Sequence, residues 1–300
     1  MEEIKNNKIE EVIGQENVKK QIKSAIIAKR HIILVGPPGI GKTTLVKALS
    51  DILPYKDNKP PFVRVQGSPD LTSEDLLGDI DPGKALEHGP LSMEAFTPGK
   101  IFKADQGILF FDEVNRCSEK LQNALLQALE EKKVTIGSYD IDLDADFIFI
   151  GTMNPEEAST EPLSDVFLDR FDLVYMEPPE TQEYEEKIVK LKGRKLNNYP
   201  DKLLKKTVKF IRKLRKDPDL EKHPSVRATL GIYERAQTNA YLDNRKDVNA
   251  KDIRDSLISV LSHRIRLKPS MKYKKTTKNY LKENFDEYFK EELSSGGDDP

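Results

Sequence analysis

The stretch that most constrains this chain is residues 31–44, which read HIILVGPPGIGKTT. Its first part is a short apolar run, residues 32–35, that ends at a cluster of Gly and Pro, as a strand buried in a parallel sheet would. Residues 36–43 then fit the pattern G-x-x-x-x-G-K-[ST] without a mismatch. A strand, a phosphate-binding loop and a helix are therefore predicted in this order, which indicates an α/β nucleotide-binding fold.

The alternative interpretation of this stretch is a glycine turn before an ordinary helix, but the order of strand, loop, Lys and Thr favours a phosphate loop. Glycines let the backbone N–H groups face inward, where they can hold phosphate together with the N-terminus of the next helix. Lys42 can reach the β- and γ-phosphates, and the Thr43 hydroxyl can ligate Mg²⁺. The nucleotide-binding residues expected in the loop are Gly36, Pro37, Pro38, Gly39, Ile40, Gly41, Lys42, Thr43 and Thr44.

A second informative stretch is residues 108–113, which read ILFFDE. Four apolar residues predict a buried strand, and Asp112 and Glu113 follow at its carboxyl end, where ligands bind in open parallel sheets. Asp112 is expected to hold Mg²⁺, directly or through water, and Glu113 to polarise a water for in-line attack on a γ-phosphate. An apolar run ending in two acids is a weak signal alone, but it is strong after a phosphate loop. ATP and Mg²⁺ are therefore the predicted cofactors.

Further strands are predicted at residues 62–66, 147–151 and 173–176, with a hairpin near residues 134–143. The strand at 147–151 places Asn154 at the same sheet edge as Asp112. The Gly- and Pro-rich residues 78–100 break the α/β alternation, and we interpret them as an inserted hairpin or loop rather than a surface loop without a function.

From residue 180 onward the pattern is purely helical, with helices predicted at 181–192, 201–215, 225–243 and 250–264. The following residues 268–282 contain six lysines, and residues 283–300 are acidic, so we expect a solvated extension that is helical at most in part. The predicted organisation is an α/β nucleotide-binding domain over 1–178 with an insert at about 79–97, an all-α domain over 179–267, and a charged tail over 268–300.

Composition excludes several classes of protein. The formal net charge of −2 gives no global basic field that would recruit nucleic acid. The single cysteine, Cys117, excludes an intrachain disulfide framework and is interpreted as a packing residue. The N-terminus lacks an apolar signal region and no stretch is long enough to span a membrane, so we expect a cytoplasmic protein.

The motifs GPPGIGKTT, ILFFDEVNR, FIFIGTMNP and LDRF occur in the order typical of AAA+ ATPases. Over residues 12–263 the chain resembles this family, and more narrowly its MoxR members and the I subunit of magnesium chelatase, a branch with an insert in helix 2. The resemblance implies a P-loop AAA+ core, with a parallel sheet flanked by helices, followed by a small all-α lid domain. It also places the insert at residues 79–97.

The resemblance implies roles for five further residues. Ile13 and Gly14 would line the adenine pocket, Asn154 would be the sensor 1 residue, Arg170 the arginine finger and Arg227 the sensor 2 residue. Without the family pattern, Asn154 would be interpreted as a turn cap, Arg170 as part of a surface ion pair and Arg227 as an ordinary lid arginine.

One departure from the family pattern concerns the lid. The segment 192–200 is short and polar, so the long helix that many members carry before sensor 2 is expected to be truncated or absent. This leaves open whether Arg227 reaches its own site or that of a neighbour.

The function that the resemblance implies is a ring-forming, hexameric ATPase that remodels protein partners in a chaperone-like way. The implied partner carries a von Willebrand factor A domain, and the implied task is metal insertion or complex maturation. The alternative is a nucleic-acid-dependent motor related to replicative helicases, but the predicted hairpin turn at 137–140 has no Lys or Arg, and Glu87, His88 and Glu94 lie near the tip of the insert. A nucleotide-gated scaffold with negligible turnover is a third possibility, against which the presence of Glu113 argues.

Overall fold

A computed structural model describes residue 4 and residues 8–50, 62–89, 92–136, 141–155 and 163–295. The chain divides into two compact units. The α/β unit comprises Met1–Pro37 and Gly41–Met176, and the helical unit comprises Pro38–Ile40 and Glu177–Pro300. We predicted a boundary after residue 178, and the main part of the helical unit begins at Glu177.

The α/β unit alternates strands and helices around one parallel sheet. Its elements are, in chain order, α1 (Glu16–Ile27), β1 (His31–Val35), α2 (Lys42–Ser50), β2 (Phe62–Gln66), α3 (Ser73–Leu77), β3 (Gly78–Ile80), α4 (Pro82–His88), β4 (Phe96–Pro98), α5 (Lys100–Lys103), β5 (Ile108–Asp112), α6 (Glu119–Glu131), β6 (Lys133–Ile136), β7 (Ile141–Asp144), β8 (Ile148–Met153), α7 (Asp165–Leu168) and β9 (Phe171–Tyr175).

Five strands form the sheet in the order β2–β5–β8–β1–β9, and every neighbouring pair is parallel. All five residues of β5 and the last four of β1 are buried, which explains why both strands are continuous apolar runs. The register brings Gln66 beside Asp112, and Val35 beside Met153. The carboxyl ends of these four strands therefore lie along one edge of the sheet, as the sequence predicted.

The inserted segment is a small substructure of its own. Strands β3 and β4 pair antiparallel, with α4 between them. The Asp81 carboxylate caps α4 by accepting the backbone N–H groups of Gly83 and Lys84 at 2.9 and 3.2 Å. Because α4 has no buried residue, its Leu86 is 90% exposed. The hairpin predicted near residues 134–143 corresponds to the antiparallel strands β6 and β7, and its turn at 137–140 lies outside the described residues.

The helical unit contains a bundle of helices and one short ribbon. Its elements are α8 (Gln182–Lys192), α9 (Asp201–Arg215), β10 (Leu220–Lys222), α10 (Val226–Leu242), α11 (Ala250–Leu261), β11 (Arg266–Leu267), α12 (Pro269–Lys272), α13 (Thr277–Tyr288) and α14 (Lys290–Ser295). No helix lies between α8 and α9, where residues 193–200 form a short connection.

The prediction of a solvated extension after residue 267 agrees with the exposure of residues 268–279, but it is wrong for residues 280–289. Leu281, Phe285 and Phe289 are fully buried in the core of the helical unit. The Phe285 ring stacks on Phe289 with centroids 4.3 Å apart and meets the edge of Phe210 at 5.5 Å. The lysines lie on the outer face of these helices, so composition concealed an apolar stripe with helical spacing.

A buried carboxylate organises the helical unit near the start of α10. Glu185 is fully buried and accepts hydrogen bonds from Arg215 at 2.9 Å and from Thr229 at 2.6 Å. Burial alone would raise the pKa of Glu185, but the bonds from Arg215 hold it below its ordinary value. Arg215 also donates to the carbonyl of Pro224 at 2.8 Å, which fixes the segment just before α10.

Within the described part of the chain, no helix combines the length and the apolar character that crossing a membrane requires.

Candidate nucleotide-binding site

The loop between β1 and α2 has the backbone that its glycines predict. Gly39 and Gly41 have φ values of 80° and 101°, in the left-handed region that favours glycine. The N–H of Gly36 donates to the carbonyl of Met153 at 3.1 Å, which ties the start of the loop to β8. The Lys42 ammonium donates to the carbonyls of Gly36 and Pro37, so it lies against the loop itself.

Asp112 lies at the centre of a polar cluster at the end of β5. Its Oδ1 accepts a hydrogen bond of 2.6 Å from the Thr152 hydroxyl on β8. Its Oδ2 accepts one of 3.4 Å from the Thr43 hydroxyl and one of 2.7 Å from Arg64 Nη2 on β2. The two residues predicted to hold Mg²⁺, Thr43 and Asp112, are thus brought together. Hydroxyl and carboxylate oxygens are the hard ligands that Mg²⁺ prefers, so this donor set fits that metal.

Glu113 follows Asp112 in a left-handed backbone conformation, with φ of 57°. Its N–H donates to Thr152 Oγ1 at 2.9 Å, so one hydroxyl contacts both acidic residues. Its Oε2 accepts a hydrogen bond from Gln66 Nε2 at 2.9 Å and pairs with Arg116 Nε at 3.2 Å. The Glu113 carboxylate is therefore oriented by groups from β2 and the turn after β5, and its backbone is held by β8, while its side chain remains 36% exposed.

Two close approaches shape this edge of the sheet. A Cβ at Gly67 would lie 2.1 Å from the Glu113 carbonyl oxygen, so the end of β2 can approach β5 only with glycine there. Asn115 is 4% exposed, and its Nδ2 donates to the Asn154 carbonyl at 3.2 Å. Asn154, the predicted sensor 1 residue, lies just after β8. The hydrogen bond from Asn115 ties the Asn154 backbone to the turn after β5.

Comparisons with known proteins identify the family. Residues 31–173 match the family described as "ATPase family associated with various cellular activities (AAA)", and residues 212–283 match its lid domain. The chain is 31% identical over 287 residues to the uncharacterised protein YeaC of Bacillus subtilis, covering 87% of this chain and 85% of YeaC. It is also 30% identical over 247 residues to the magnesium-chelatase 38 kDa subunit of Chlorobaculum parvum, covering 69% of each chain. The chain belongs to the AAA ATPase family.

A third relative narrows the position of this AAA ATPase within the family. The chaperone MoxR1 of Mycobacterium tuberculosis is 25% identical over 285 residues, which cover 85% of this chain and 72% of MoxR1. The resemblance to the MoxR and magnesium-chelatase branch is thus confirmed, as is the AAA+ fold of a parallel sheet flanked by helices and followed by helices. The lid match includes most of α13, in agreement with its burial in the helical unit.

The remaining predicted site residues of this AAA ATPase lie on other elements of the chain. Ile13 and Gly14 precede α1, and Gly14 has a φ of 72°. Arg170 follows α7, where its Nε donates to Glu130 Oε1 at 2.7 Å and its Nη1 to the Val166 carbonyl at 2.8 Å. Arg227 lies exposed in the first turn of α10, in the helical unit. The roles assigned to these residues stay predictions.

Residues that sequence reasoning missed complete the cluster: Arg64, Gln66, Asn115, Arg116 and Thr152. Arg64 and Gln66 alternate on β2, which we identified only as a strand. The cue that was present is period-two alternation, because polar residues at every second position of a strand share one face. Their proximity to Asp112 depends on β2 pairing with β5, which the local sequence does not specify.

Cys117 is buried, and burial raises the pKa of its thiol to about 11, so it is protonated at neutral pH. It packs among the apolar residues beneath the sheet, as predicted.

Proposed function

We propose that this chain binds ATP with Mg²⁺ and hydrolyses ATP to ADP and phosphate. The observation that carries this proposal is the Asp112 cluster, in which the hydroxyls of Thr43 and Thr152 bind the two oxygens of one carboxylate directly beside the phosphate loop. Thr43 and Asp112 would hold the metal, and Lys42 would contact the β- and γ-phosphates. When bound, Mg²⁺ neutralises charge that develops on the phosphates.

Glu113 is proposed as the group that orients and deprotonates the attacking water. A general base must be fixed close to its target, and the Glu113 carboxylate is held by Gln66 and Arg116 while remaining partly exposed. Asn154, whose backbone is held by Asn115, would place its amide near the γ-phosphate. Ile13 and Gly14 are proposed to line the adenine pocket, and Arg227 to act as sensor 2.

We further propose that the protein works as a ring, with six copies as in the branch that it resembles. An arginine finger stabilises charge in a site that its own chain does not build. The support is that the Arg170 contacts lie on Glu130 and Val166 rather than on the carboxylates after β5. In an assembly, Arg170 would reach the nucleotide of the neighbouring subunit.

The proposed partner is a protein, and the proposed contact is the inserted segment formed by β3, α4 and β4. Its α4 exposes Leu86 almost completely and Met93 is 43% exposed, which gives apolar side chains for a protein surface. The names of MoxR1 and of the chelatase subunit suggest a chaperone-like or metal-insertion task, here acting on a partner with a von Willebrand factor A domain. A nucleic-acid motor is less well supported, because Glu87 and Glu94 would repel phosphates from this segment.

The experiment that tests ATP hydrolysis compares Glu113→Gln with Lys42→Ala. Glu113→Gln should bind fluorescently labelled ATP normally, because Lys42, Thr43 and Asp112 remain, yet release little phosphate. Lys42→Ala should lose binding as well. Glu119→Gln, which removes the same charge from an exposed residue of α6, serves as the control and should behave like the unchanged protein. Normal phosphate release by Glu113→Gln would rule out Glu113 as the base.

A further inference from the structure

Asp112 is already paired with a cation from its own chain. Arg64 Nη2 on β2 donates to Asp112 Oδ2 at 2.7 Å, and the Arg64 guanidinium lies over the Phe110 ring, 5.8 Å from its centroid. The Arg64 side chain is 45% exposed, whereas that of Asp112 is 12% exposed. A short charge-assisted hydrogen bond to a largely buried carboxylate is among the stronger polar contacts that a protein forms.

The oxygen that Arg64 contacts is the one that a metal would need. Asp112 Oδ1 is engaged by the Thr152 hydroxyl at 2.6 Å, whereas Oδ2 faces Thr43. Thr43 and Arg64 therefore share Oδ2, and a magnesium ion held by Thr43 and Asp112 would share it too. A divalent cation and a guanidinium on one oxygen repel each other, and Mg²⁺ tolerates little distortion of its ligand shell.

We propose that Arg64 competes with Mg²⁺ for Asp112, and so sets the Mg²⁺ concentration at which the metal–nucleotide complex binds. This inference rests on the proposed binding of ATP with Mg²⁺ and assigns to Arg64 the role of a metal-affinity determinant. Its exposed side chain can leave the carboxylate without opening the core, since its other contacts are the Phe110 ring and a hydrogen bond of 3.5 Å to Gln66 Oε1 on the same strand.

The test is a Mg²⁺ titration of labelled ADP binding, followed by fluorescence anisotropy, with Mn²⁺ binding followed by electron paramagnetic resonance as a second readout. ADP is used because no hydrolysis can complicate the measurement. Arg64→Met keeps a long apolar stem over Phe110 but removes the charge, and Arg64→Lys retains a charge. The control is Arg30→Met, which breaks an exposed pair with Asp172 of the same length, 2.7 Å, at the opposite end of β1 and β9.

The expected result is that Arg64→Met lowers the midpoint Mg²⁺ concentration about tenfold, which corresponds to about 1.4 kcal/mol. Mn²⁺ should bind correspondingly more tightly to the Arg64→Met complex with ADP. Arg64→Lys should lie close to the unchanged protein, and Arg30→Met should leave the midpoint unchanged. Thermal melting of each variant shows whether it is folded before it is titrated.

Three outcomes would overturn the inference. An unchanged or higher midpoint for Arg64→Met would exclude competition with the metal. An equal loss of ADP affinity with Mg²⁺ and with EDTA would instead make Arg64 a phosphate ligand. If the unchanged protein binds no nucleotide at any Mg²⁺ concentration, the proposed function fails and this inference fails with it, a result that is distinct from the first two.

Discussion

Thr152 Oγ1 donates a hydrogen bond of 2.6 Å to Asp112 Oδ1 from the neighbouring strand, and it accepts the N–H of Glu113 at 2.9 Å. One buried hydroxyl thus fixes the residue proposed to hold the metal and the residue proposed to activate water. Because this hydroxyl donates to the Asp112 carboxylate and accepts the Glu113 backbone N–H, one side chain of β8 links the two residues at the end of β5.

Replacing Thr152 with Val keeps the side-chain shape but removes this hydroxyl. The Asp112 carboxylate and the Glu113 N–H would each lose a partner, so the free energy of unfolding should fall by about 1–3 kcal/mol. Urea denaturation measures this, and phosphate release should fall in the same variant. Thr152→Ser, which retains the hydroxyl, should recover most of both quantities. Equal behaviour of the Val and Ser variants would show that the hydroxyl is dispensable.

The C-terminal helices should contribute strongly to the stability of the helical unit. Phe285→Ala removes a fully buried ring that stacks on Phe289 and meets Phe210, so we expect a loss of about 3–5 kcal/mol in the free energy of unfolding. Lys282→Ala, on the exposed face of the same helix, should change it by less than about 0.5 kcal/mol. If both changes have similarly small effects in urea denaturation, the C-terminal helices do not stabilise the helical unit and behave as a solvated tail.

Local patterns in the sequence predicted one part of the candidate site and missed another. The phosphate loop and β5 were identified because a buried parallel strand is an unbroken apolar run, and because the motif that follows each of these strands has few other interpretations. Thr43 and Asp112 were placed correctly near each other because parallel strands end at one edge. Such inferences need only local patterns and a general rule about sheets.

Arg64 and Thr152 could not be found in this way, because their contacts depend on which strands are neighbours. The sheet order β2–β5–β8–β1–β9 separates strands that are consecutive in the chain, so no short window of sequence records those pairs. The prediction for the C-terminal helices was wrong for a different reason. Counting lysines concealed the spacing of Tyr280, Leu281, Phe285 and Phe289, which is the signal that decides burial.

The inserted segment is expected to act on a partner and not on the nucleotide. Leu86→Glu should leave melting temperature and basal phosphate release unchanged, because α4 has no buried residue. It should abolish any stimulation of phosphate release by a purified protein with a von Willebrand factor A domain, and so should deletion of residues 81–94. Full stimulation of both variants would exclude the insert as the contact. Stimulation of the intact protein by DNA that disappears at high salt would favour the nucleic-acid motor.

His31 should make stability depend on pH. Burial lowers the pKa of His31, and its Nδ1 accepts the N–H of Phe149 at 3.1 Å, which requires that nitrogen to be unprotonated. The folded protein therefore binds fewer protons than the unfolded chain near the ordinary histidine pKa of about 6.5. This stabilisation is complete above that pH and is lost as the pH falls below it.

The measurement compares His31→Gln with the unchanged protein by urea denaturation between about pH 8 and pH 5. The difference in unfolding free energy between the two should shift in favour of the variant as the pH falls through about 6.5, since glutamine does not titrate. Lys132 and Arg30 lower the pKa of His31, so replacing either with a neutral residue should raise that pKa in the folded protein. Asp146 raises the pKa of His31, so replacing it with a neutral residue should lower that pKa. A pH-independent difference would show that His31 does not titrate differently in the two states.

Arg170 provides the test of ring assembly. Arg170→Ala should bind ATP normally through Lys42, Thr43 and Asp112, and its hydrolysis should fall by about 10³-fold, as for other arginines that act across an interface. Glu130→Gln, which breaks the Arg170 pair within the chain but keeps the arginine, should retain activity. This comparison separates loss of the ion pair from loss of the finger.

Mixing two inactive variants then decides whether Arg170 acts on a neighbouring subunit. Glu113→Gln has a dead site and an intact Arg170, whereas Arg170→Ala has an intact site and no finger. In a mixed ring, some Arg170→Ala sites gain a neighbour with Arg170, so phosphate release should reappear and should rise with protein concentration. Mixing Arg170→Ala with the double variant Glu113→Gln, Arg170→Ala supplies no finger and should restore nothing. If light scattering detects assembly while neither mixture is active, Arg170 acts within its own chain or only structurally, and the proposed ring mechanism is wrong.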